Sequence, residues 1–548
     1  MKITKITLTN FRSFKTTQSI ELAPVTLMFG PNSVGKSSVL MALAYVQQIL
    51  RKGHCNPQKL DALGDKNIGG FRSLVHGQDT TKSIKIRIDF DSSKSALSRY
   101  DESVDELAYH IDTPYILMED FGGNINTGAV EFDISWSPRH EYAYIKSYRV
   151  WINQKYIGCI TSSQDLKNTS ISELNTSHPL LVPYNHDDWL EHEYGEEADR
   201  EMLEDEDYHT EFEEFLDLLN PNPLSTVKSA DTERAGEEFV NRIAPISLIC
   251  ISGAIPVLGS PVSTNLVGGD LEESERYLNY IVIRQALSQA FVLPLDRILE
   301  SIESSIMIGP LRVVPDSDYV ANPHPEQADW IDGSAAWDLL YRDPGSDDSI
   351  KKLVRTTSDW FSSTNKLNTG YEVINESVAE SLDLDVLSIN HVPELITKRH
   401  VFFNDVNKNL KLSANQLGTG ISQVLPLVVA SNYGLVNMIS IEQPELHIHP
   451  RFQVELADMF LDARKKHNFL IETHSEHLIL RLLKRIRQTT DEELPEDISP
   501  VKAEDVSITY LEPSENGVIT KRIRIDEDGE FVDSWPKGFF TERREELM

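Results

Sequence analysis

The stretch Gly30-Pro31-Asn32-Ser33-Val34-Gly35-Lys36-Ser37 constrains this chain more than any other. It follows a five-residue apolar run, 25–29, and precedes a helical pattern over 38–50. A strand that turns through glycines into a helix aims backbone N–H groups at one point, and the helix N-terminus adds a favourable dipole there. Such a cradle fits phosphate oxygens, with Asn32, Gly35 and Ser38 among its walls. Lys36 would reach the outer phosphates of a nucleotide, and the Ser37 hydroxyl would ligand Mg2+.

The remaining pattern places this unit in an α/β layer. Strands are expected at 3–10, 20–22, 25–29 and 83–90. Residues 91–265 are heterogeneous, with aromatic-rich extended pieces, and 271–306 read as largely helical. A buried strand is expected over 306–314, with Pro310 near its end, and helices over 335–341 and 349–361. Strands at 438–442, 469–473, 506–512 and 521–525 then alternate with helices, which signals a mixed or parallel sheet. A chain of 548 residues has room for three or four units. We read an N-terminal lobe at 1–90, an inserted α+β region at 91–305, a second lobe at 306–490 and a C-terminal module at 491–548.

Three distal segments complement the phosphate loop. Met438-Ile439-Ser440-Ile441-Glu442 is an apolar strand ending in a carboxylate, which beside a phosphate loop can hold Mg2+. Phe469-Leu470-Ile471-Glu472-Thr473-His474 is a second strand ending in a histidine able to contact a γ-phosphate. Leu417-Gly418-Thr419-Gly420-Ile421-Ser422-Gln423 opens a helix, a second anion-binding terminus with Gly418, Gly420, Ser422 and Gln423 as its polar wall. A head-to-tail dimer explains two phosphate-binding termini so far apart, because each copy would complete the other's ATP site.

The order of these motifs resembles the ABC-type ATPase superfamily, in the branch holding SMC, RecF and the overcoming-lysogenization-defect (OLD) ATPases. Leu8-Thr9-Asn10-Phe11-Arg12-Ser13-Phe14 looks like that branch's opening strand and turn. Glu442 matches its metal-coordinating position and His474 its switch histidine, and the segments 444–450 and 473–478 are close to its usual wording. Trp535-Pro536-Lys537-Gly538-Phe539-Phe540 is similar to a C-terminal module found in a subset. Within that subset the chain looks most like PtuA-type ATPases of Septu and retron-linked anti-phage systems. The resemblance implies an ABC-type P-loop ATPase head with ATP and Mg2+ as cofactors. It further implies a homodimer or higher oligomer, an HNH nuclease partner of the PtuB type and, in retron-linked members, a reverse transcriptase with its RNA–DNA hybrid.

One position departs from the family pattern. Most ABC-type ATPases follow the metal carboxylate with a glutamate that orients the attacking water, whereas this chain has Gln443. An amide holds water but cannot accept its proton, and losing a general base costs about 10²–10⁴-fold. Firm ATP binding with slow or no hydrolysis is expected, with Glu445 as the substitute base if one exists. Gln78 or His76 lies where the superfamily often places a metal- and nucleotide-sensing glutamine loop, with an ordinary loop role as the alternative. Arg312, after Ile308-Gly309-Pro310-Leu311, reads as structural before phosphate-facing.

Charge separates the partner classes. The formal net charge of −34 argues against a surface-wide nucleic-acid binder. It is unevenly spread: residues 1–90 hold thirteen Lys or Arg against five Asp or Glu, while 187–217 hold sixteen acids and one base, Arg200. That acidic run, with Trp189, Tyr194, Tyr208, Phe212 and Phe215 interleaved, is a solvated insertion or a docking element for a basic partner. Arg481, Lys484 and Arg485, at i, i+3 and i+4 with Arg487 near them, place a basic stripe on one helix face, either solvated or set against nucleic-acid backbone. Three scattered cysteines make no disulfide framework or zinc site. The N-terminus lacks the apolar core of a signal peptide and no run is long enough to span a bilayer, so a cytoplasmic protein without membrane partner is expected. No H-N-H metal cluster is evident, and little chain follows His474, so no nuclease activity of its own is expected. The alternative function is a RecF-like repair or recombination clamp. A nuclease built on the acidic run lacks any spaced acidic motif tied to a strand.

Overall fold

The computed structural model describes residues 1–93, 100, 125–176, 178, 181, 245–266, 274–316, 318–345, 347–381, 395–434, 436–496 and 498–535. The acidic run 187–217 with its five aromatic residues lies outside the described residues, as do residues 536–540 of the tail motif.

In chain order the first strands are β1 (Lys2–Thr9), β2 (Gln18–Glu21), β3 (Val25–Phe29), β4 (Ile84–Asp91), β5 (Thr127–Ser137), β6 (Tyr142–Ile152), β7 (Lys155–Ser162), β8 (Thr169–Leu174) and β9 (Ile246–Ser247). They are followed by β10 (Ile306–Ile308), β11 (Tyr371–Ser381), β12 (Leu395–Asp405), β13 (Leu410–Ser413), β14 (Met438–Glu442), β15 (Asn468–Glu472), β16 (Val506–Ser514) and β17 (Gly517–Ile523). The helices are α1 (Ser37–Lys52), α2 (Gly70–Leu74), α3 (Ser274–Phe291), α4 (Leu293–Glu303), α5 (Ser334–Tyr341), α6 (Asp348–Ser362), α7 (Thr419–Asn432), α8 (Pro450–Ala463) and α9 (Glu476–Thr490).

The chain divides into two compact units. The first comprises 1–19, 45–58 and 67–301. Its sheet is ordered β2-β1-β4-β5-β6-β7-β8-β9 and is antiparallel from β1 to β9. Strand β4 shows why: Ile84, Ile86, Ile88 and Phe90 are buried while Lys85, Arg87, Asp89 and Asp91 are half-exposed, the period-2 pattern of a sheet with one covered face. Tyr148 stacks on Phe132, meets Phe291 edge-on and donates its hydroxyl to the Phe291 carbonyl at 3.0 Å. The helical run expected over 271–306 is two helices. Pro294 has no N–H to continue a ladder and fits only in a first turn, so the chain restarts at Leu293.

The second unit comprises 20–44, 59–66 and 302–548. Its sheet is ordered β10-β14-β15-β3-β16-β17, parallel through β16 and antiparallel at β17. Strand β3 is buried at every position, as a central parallel strand covered on both faces must be. Residues 506–523 of the C-terminal stretch enter this sheet, with β16 paired directly to β3. The antiparallel trio β11-β12-β13 adds Phe403, which meets Trp337 and Phe361 in the core. Only 306–308 of the strand expected over 306–314 pairs. Beyond it the Gly309 and Val313 amides donate to the Ile331 and Asp332 carbonyls, and Pro310 can donate to no ladder.

Strand register brings three carboxyl ends together. Glu442 pairs with Glu472, and Glu472 with Met28, so β14, β15 and β3 end side by side. Strand β3 then runs straight into Gly30. Ligand sites of open parallel sheets form at this carboxyl edge.

Candidate nucleotide site

The loop after β3 is shaped by positions that few side chains tolerate. Gly30 has φ +150°, and a Cβ there would stand 2.4 Å from the Leu511 carbonyl oxygen. Ser33 and Gly35 also have positive φ, at 61° and 112°. Together they turn the chain so that α1 begins at Ser37. Asn32 is exposed on the rim of the loop, and Ser38 is buried with its amide donating to Gly35.

Lys36 is buried, and its ammonium donates to the Gly30 carbonyl at 2.9 Å and the Pro31 carbonyl at 3.0 Å. It lies 3.3 Å from His474 Nε2 and 3.6 Å from Glu472 Oε1. Because an ammonium can only donate, His474 Nε2 accepts and its ring proton sits on Nδ1. Burial lowers the Lys36 pKa, and the nearby Glu472 carboxylate opposes that shift most. Burial also lowers the pKa of His474, with the Lys36 charge adding to the effect. The Ser37 hydroxyl donates to Glu472 Oε2 at 2.8 Å. Burial, then the charge of Glu472, raises the Glu442 pKa, while Lys66, Ser37 and Lys36 pull it down.

The two strand ends are tied by the turn that follows each. Gln443, at φ +46°, donates its amide to the Glu472 carbonyl at 2.7 Å. Among the described residues its side-chain amide takes no partner. Glu445 Oε2 accepts the Thr473 hydroxyl at 2.7 Å and Oε1 accepts the His474 amide at 2.7 Å. Both carboxylate oxygens are thus engaged in fixing the turn that carries His474, and burial raises the Glu445 pKa.

Arg312 lies behind this edge, 5% exposed. Its guanidinium donates to the carbonyls of Gln423 (3.1 Å), Glu442 (3.2 Å) and Gln443 (3.3 Å). Gln423 returns a side-chain bond to the Arg312 carbonyl at 2.7 Å and accepts the Arg312 amide at 3.2 Å. Arg312 thus holds α7 to the end of β14. This is the structural role expected for it.

The α7 start divides in two. Gly418 is exposed, with open space where a Cβ would be, and Gly420 packs within 2.9 Å of the His447 carbonyl, measured from an ideal Cβ. Ser422 and Gln423 are buried, their polar atoms turned to Ala414 and Arg312. The hydroxyl exposed at this terminus is that of Thr419, which sequence reasoning passes over between two glycines. It passes over Glu472 too, although 469–472 repeats the apolar-strand-then-glutamate wording of 439–442. His76 and Gln78 belong to the first unit, where His76 Nδ1 lies 2.7 Å from the Arg12 carbonyl and the Gln78 amide donates to Val75.

The basic stripe on α9 is largely consumed within the chain. Arg485 makes a two-pronged contact with Asp458 at 2.8 and 2.7 Å, and Arg481 pairs with Glu455 at 2.8 Å. Arg487 pairs with Glu530 and bonds the Asp528 carbonyl. Lys484 alone of the four is exposed with no partner among the described residues.

As to a divalent cation, the Ser37 hydroxyl and the Glu442 and Glu472 carboxylates are hard oxygen donors, which is the chemistry Mg2+ selects. Among the described residues no cluster of three or more His, Cys, Asp or Glu side chains could hold a metal alone, so the cation would need phosphate oxygens and water as further ligands.

A glycine loop on the central strand, two strand-end carboxylates, a histidine on the loop lysine and a glycine-opened helix define an α/β P-loop ATPase of the ABC type. The chain belongs to the family described as AAA ATPase domain, which matches residues 1–223 and 346–479. Residues 501–548 match a family described as a protein of unknown function (DUF3696). No curated protein matches the chain. Similar solved structures include an SMC head bound to the C-terminal winged-helix domain of ScpA (9% identity, 96% of this chain and 98% of that one, TM-score 0.38). Another is the SMC head domain from Thermotoga maritima (8% identity, 96% and 100%, TM-score 0.34). A third is a Pyrococcus furiosus SMC head with an extended coiled coil bound to the C-terminal domain of ScpA (10% identity, 95% and 96%, TM-score 0.35). Among the described residues no helix is long and apolar enough to cross a membrane.

Proposed function

We propose that this ATPase is the ATP-binding subunit of a bacterial anti-phage defence complex of the PtuA type. Two copies close head to tail around two ATP molecules, and the closed pair scaffolds and regulates an HNH effector nuclease. In a retron-linked setting a reverse transcriptase with its RNA–DNA hybrid joins them. The observation that carries the nucleotide half is the convergence of Lys36, Ser37, Glu442, Glu472 and His474 at one sheet edge. Support for the defence half is the motif wording at 444–450 and 473–478 and the tail beginning at Trp535.

The residues divide the work. The loop amides and the α1 terminus bind phosphate oxygens, and Lys36 turns from its carbonyl partners to the outer phosphates. Ser37, Glu442 and Glu472 would hold the cation, which when bound would supply charge neutralisation at the phosphates. Glu445 fixes the turn that aims His474 at the γ-phosphate. The exposed Gly418 and Thr419 face the nucleotide of the second copy. Gln443 orients water without removing its proton, which makes turnover slow and the closed state long-lived.

Titration calorimetry with ATP on wild type and Lys36→Ala, with light scattering for size, tests the nucleotide half. Wild type should bind and dimerise while Lys36→Ala should do neither; equal behaviour would reject it. Steady-state turnover of Gln443→Glu should rise by about 10²-fold or more, and no gain would sink the slow-hydrolysis reading. Co-purification with a PtuB-type HNH nuclease tests the partner, and failure to co-purify would reject it.

A further inference from the structure

We infer that Glu472 makes this site selective for cation-loaded over cation-free ATP by competing with the phosphate chain for Lys36 and Ser37. The inference rests on the nucleotide-site reading above. Its ground is that one carboxylate engages both groups a bound nucleotide requires. Oε2 accepts the Ser37 hydroxyl at 2.8 Å, and Oε1 stands 3.6 Å from the Lys36 ammonium. Glu472 is 9% exposed and Lys36 3%, so their attraction is poorly screened.

The surrounding charge gives the competition its direction. Glu442 is the register partner of Glu472 on the next strand, and Glu445 stands on the turn beside His474. Lys36 and Lys66 are the cations that act on Glu442. A bare polyphosphate entering here must take Lys36 and Ser37 from Glu472 and then lie against that same carboxylate. A polyphosphate carrying a divalent cation does not face this repulsion. The cation satisfies the released carboxylate, and the oxygen donors of Ser37, Glu442 and Glu472 suit it. Glu472 thus acts as a gate on the metal state of the nucleotide, a role separate from holding the fold.

The test compares ATP affinity in EDTA with that in excess Mg2+, by calorimetry on the full chain. Glu472→Gln keeps the shape and one acceptor but removes the charge. It should tighten cation-free ATP binding about tenfold, a shift of about 1.4 kcal/mol, and weaken Mg2+-ATP binding because an anionic cation ligand is lost, so the ratio of the cation-free to the Mg2+-loaded dissociation constant falls. Unchanged or weaker cation-free binding overturns the inference. If Glu472→Gln does not fold, Glu472→Asp decides. Its carboxylate is one methylene short of Ser37 and should give a smaller gain, whereas no gain overturns the inference. If wild type and Lys36→Ala bind ATP equally poorly, the nucleotide-site reading fails instead, whatever Glu472 does.

Discussion

Replacing Arg312 with alanine removes the donor side of three bonds in the middle of the second unit. The carbonyls of Gln423, Glu442 and Gln443 lose partners at 3.1, 3.2 and 3.3 Å in a site that is 5% exposed. A buried acceptor left unsatisfied costs about 1–3 kcal/mol. The simple sum overshoots, because removing the cation also ends its own burial cost, which is severe enough to lower the Arg312 pKa to about 10. A net loss of about 3–5 kcal/mol is expected, comparable to breaking a buried charged pair. At roughly 2–4 °C per kcal/mol for a domain of ordinary size, the unfolding transition of this unit should fall on the order of 10 °C. The neighbouring Leu311 is 71% exposed and supplies the control. Leu311→Ala should lie within about 0.5 kcal/mol of wild type. Differential scanning calorimetry on both variants, with hydrogen exchange over 418–432 and 438–445, reads the effect. Lysine at 312 should recover only part of the loss, since a point donor cannot span three carbonyls as a planar fork can. If Arg312→Ala and Leu311→Ala melt together, the argument that Arg312 ties α7 to β14 is wrong.

Glu445→Gln and Thr473→Val should be non-additive, with a coupling of about 1 kcal/mol in unfolding experiments, because Glu445 accepts the Thr473 hydroxyl at 2.7 Å; additive losses would reject a joint role in the His474 turn. Gly30→Ala should destabilise by more than about 2 kcal/mol, given its φ of +150° and a Leu511 oxygen 2.4 Å from the added carbon. Gly418→Ala, at φ −61° with open space around it, should leave melting unchanged and weaken only ATP-driven dimerisation. Burial pushes the thiols of Cys55, Cys159 and Cys250 up to about 12. With native pKa values above the unfolded one, the thiolate forms only as pH rises through that range. At pH 8 about one thiol in ten thousand is ionised, so Ellman's reagent should label native protein far more slowly than denatured protein.

The phosphate loop was legible because every requirement it satisfies is local. A buried strand, glycines that tolerate positive φ and a helix start all fall within residues 25–38. Glu442 was legible for the same reason, as a carboxylate at the end of an apolar strand. Glu472 has the same local signature, yet its importance depends on the register between β14 and β15, which no single segment specifies. The α9 stripe shows the limit from the other side. Arg481 and Arg485 read equally well as a phosphate-binding face or a solvated one, and the deciding facts are Glu455 and Asp458 on α8, more than twenty residues earlier. Ser422 and Gln423 read as ligand-facing from their spacing, because spacing alone does not reveal the direction in which α7 presents them.

These differences share a cause that bears on function. Residues whose partners are near in sequence declare their chemistry, whereas those whose partners come from another strand or helix declare only their charge. At this sheet edge both kinds are acidic. Glu442, Glu445 and Glu472 surround a phosphate loop whose own lysine is already held by two carbonyls and an acid. An arrangement with so much negative charge at a polyphosphate site is costly unless a cation accompanies the ligand. In the proposed function, with Gln443 in place of a water-activating glutamate, the site would serve less for turnover than for recording whether a cation-loaded nucleotide is present. Arg312, bonded to the carbonyls of Gln423 on α7 and Glu442 on β14, would carry that record to α7 in the proposed dimer.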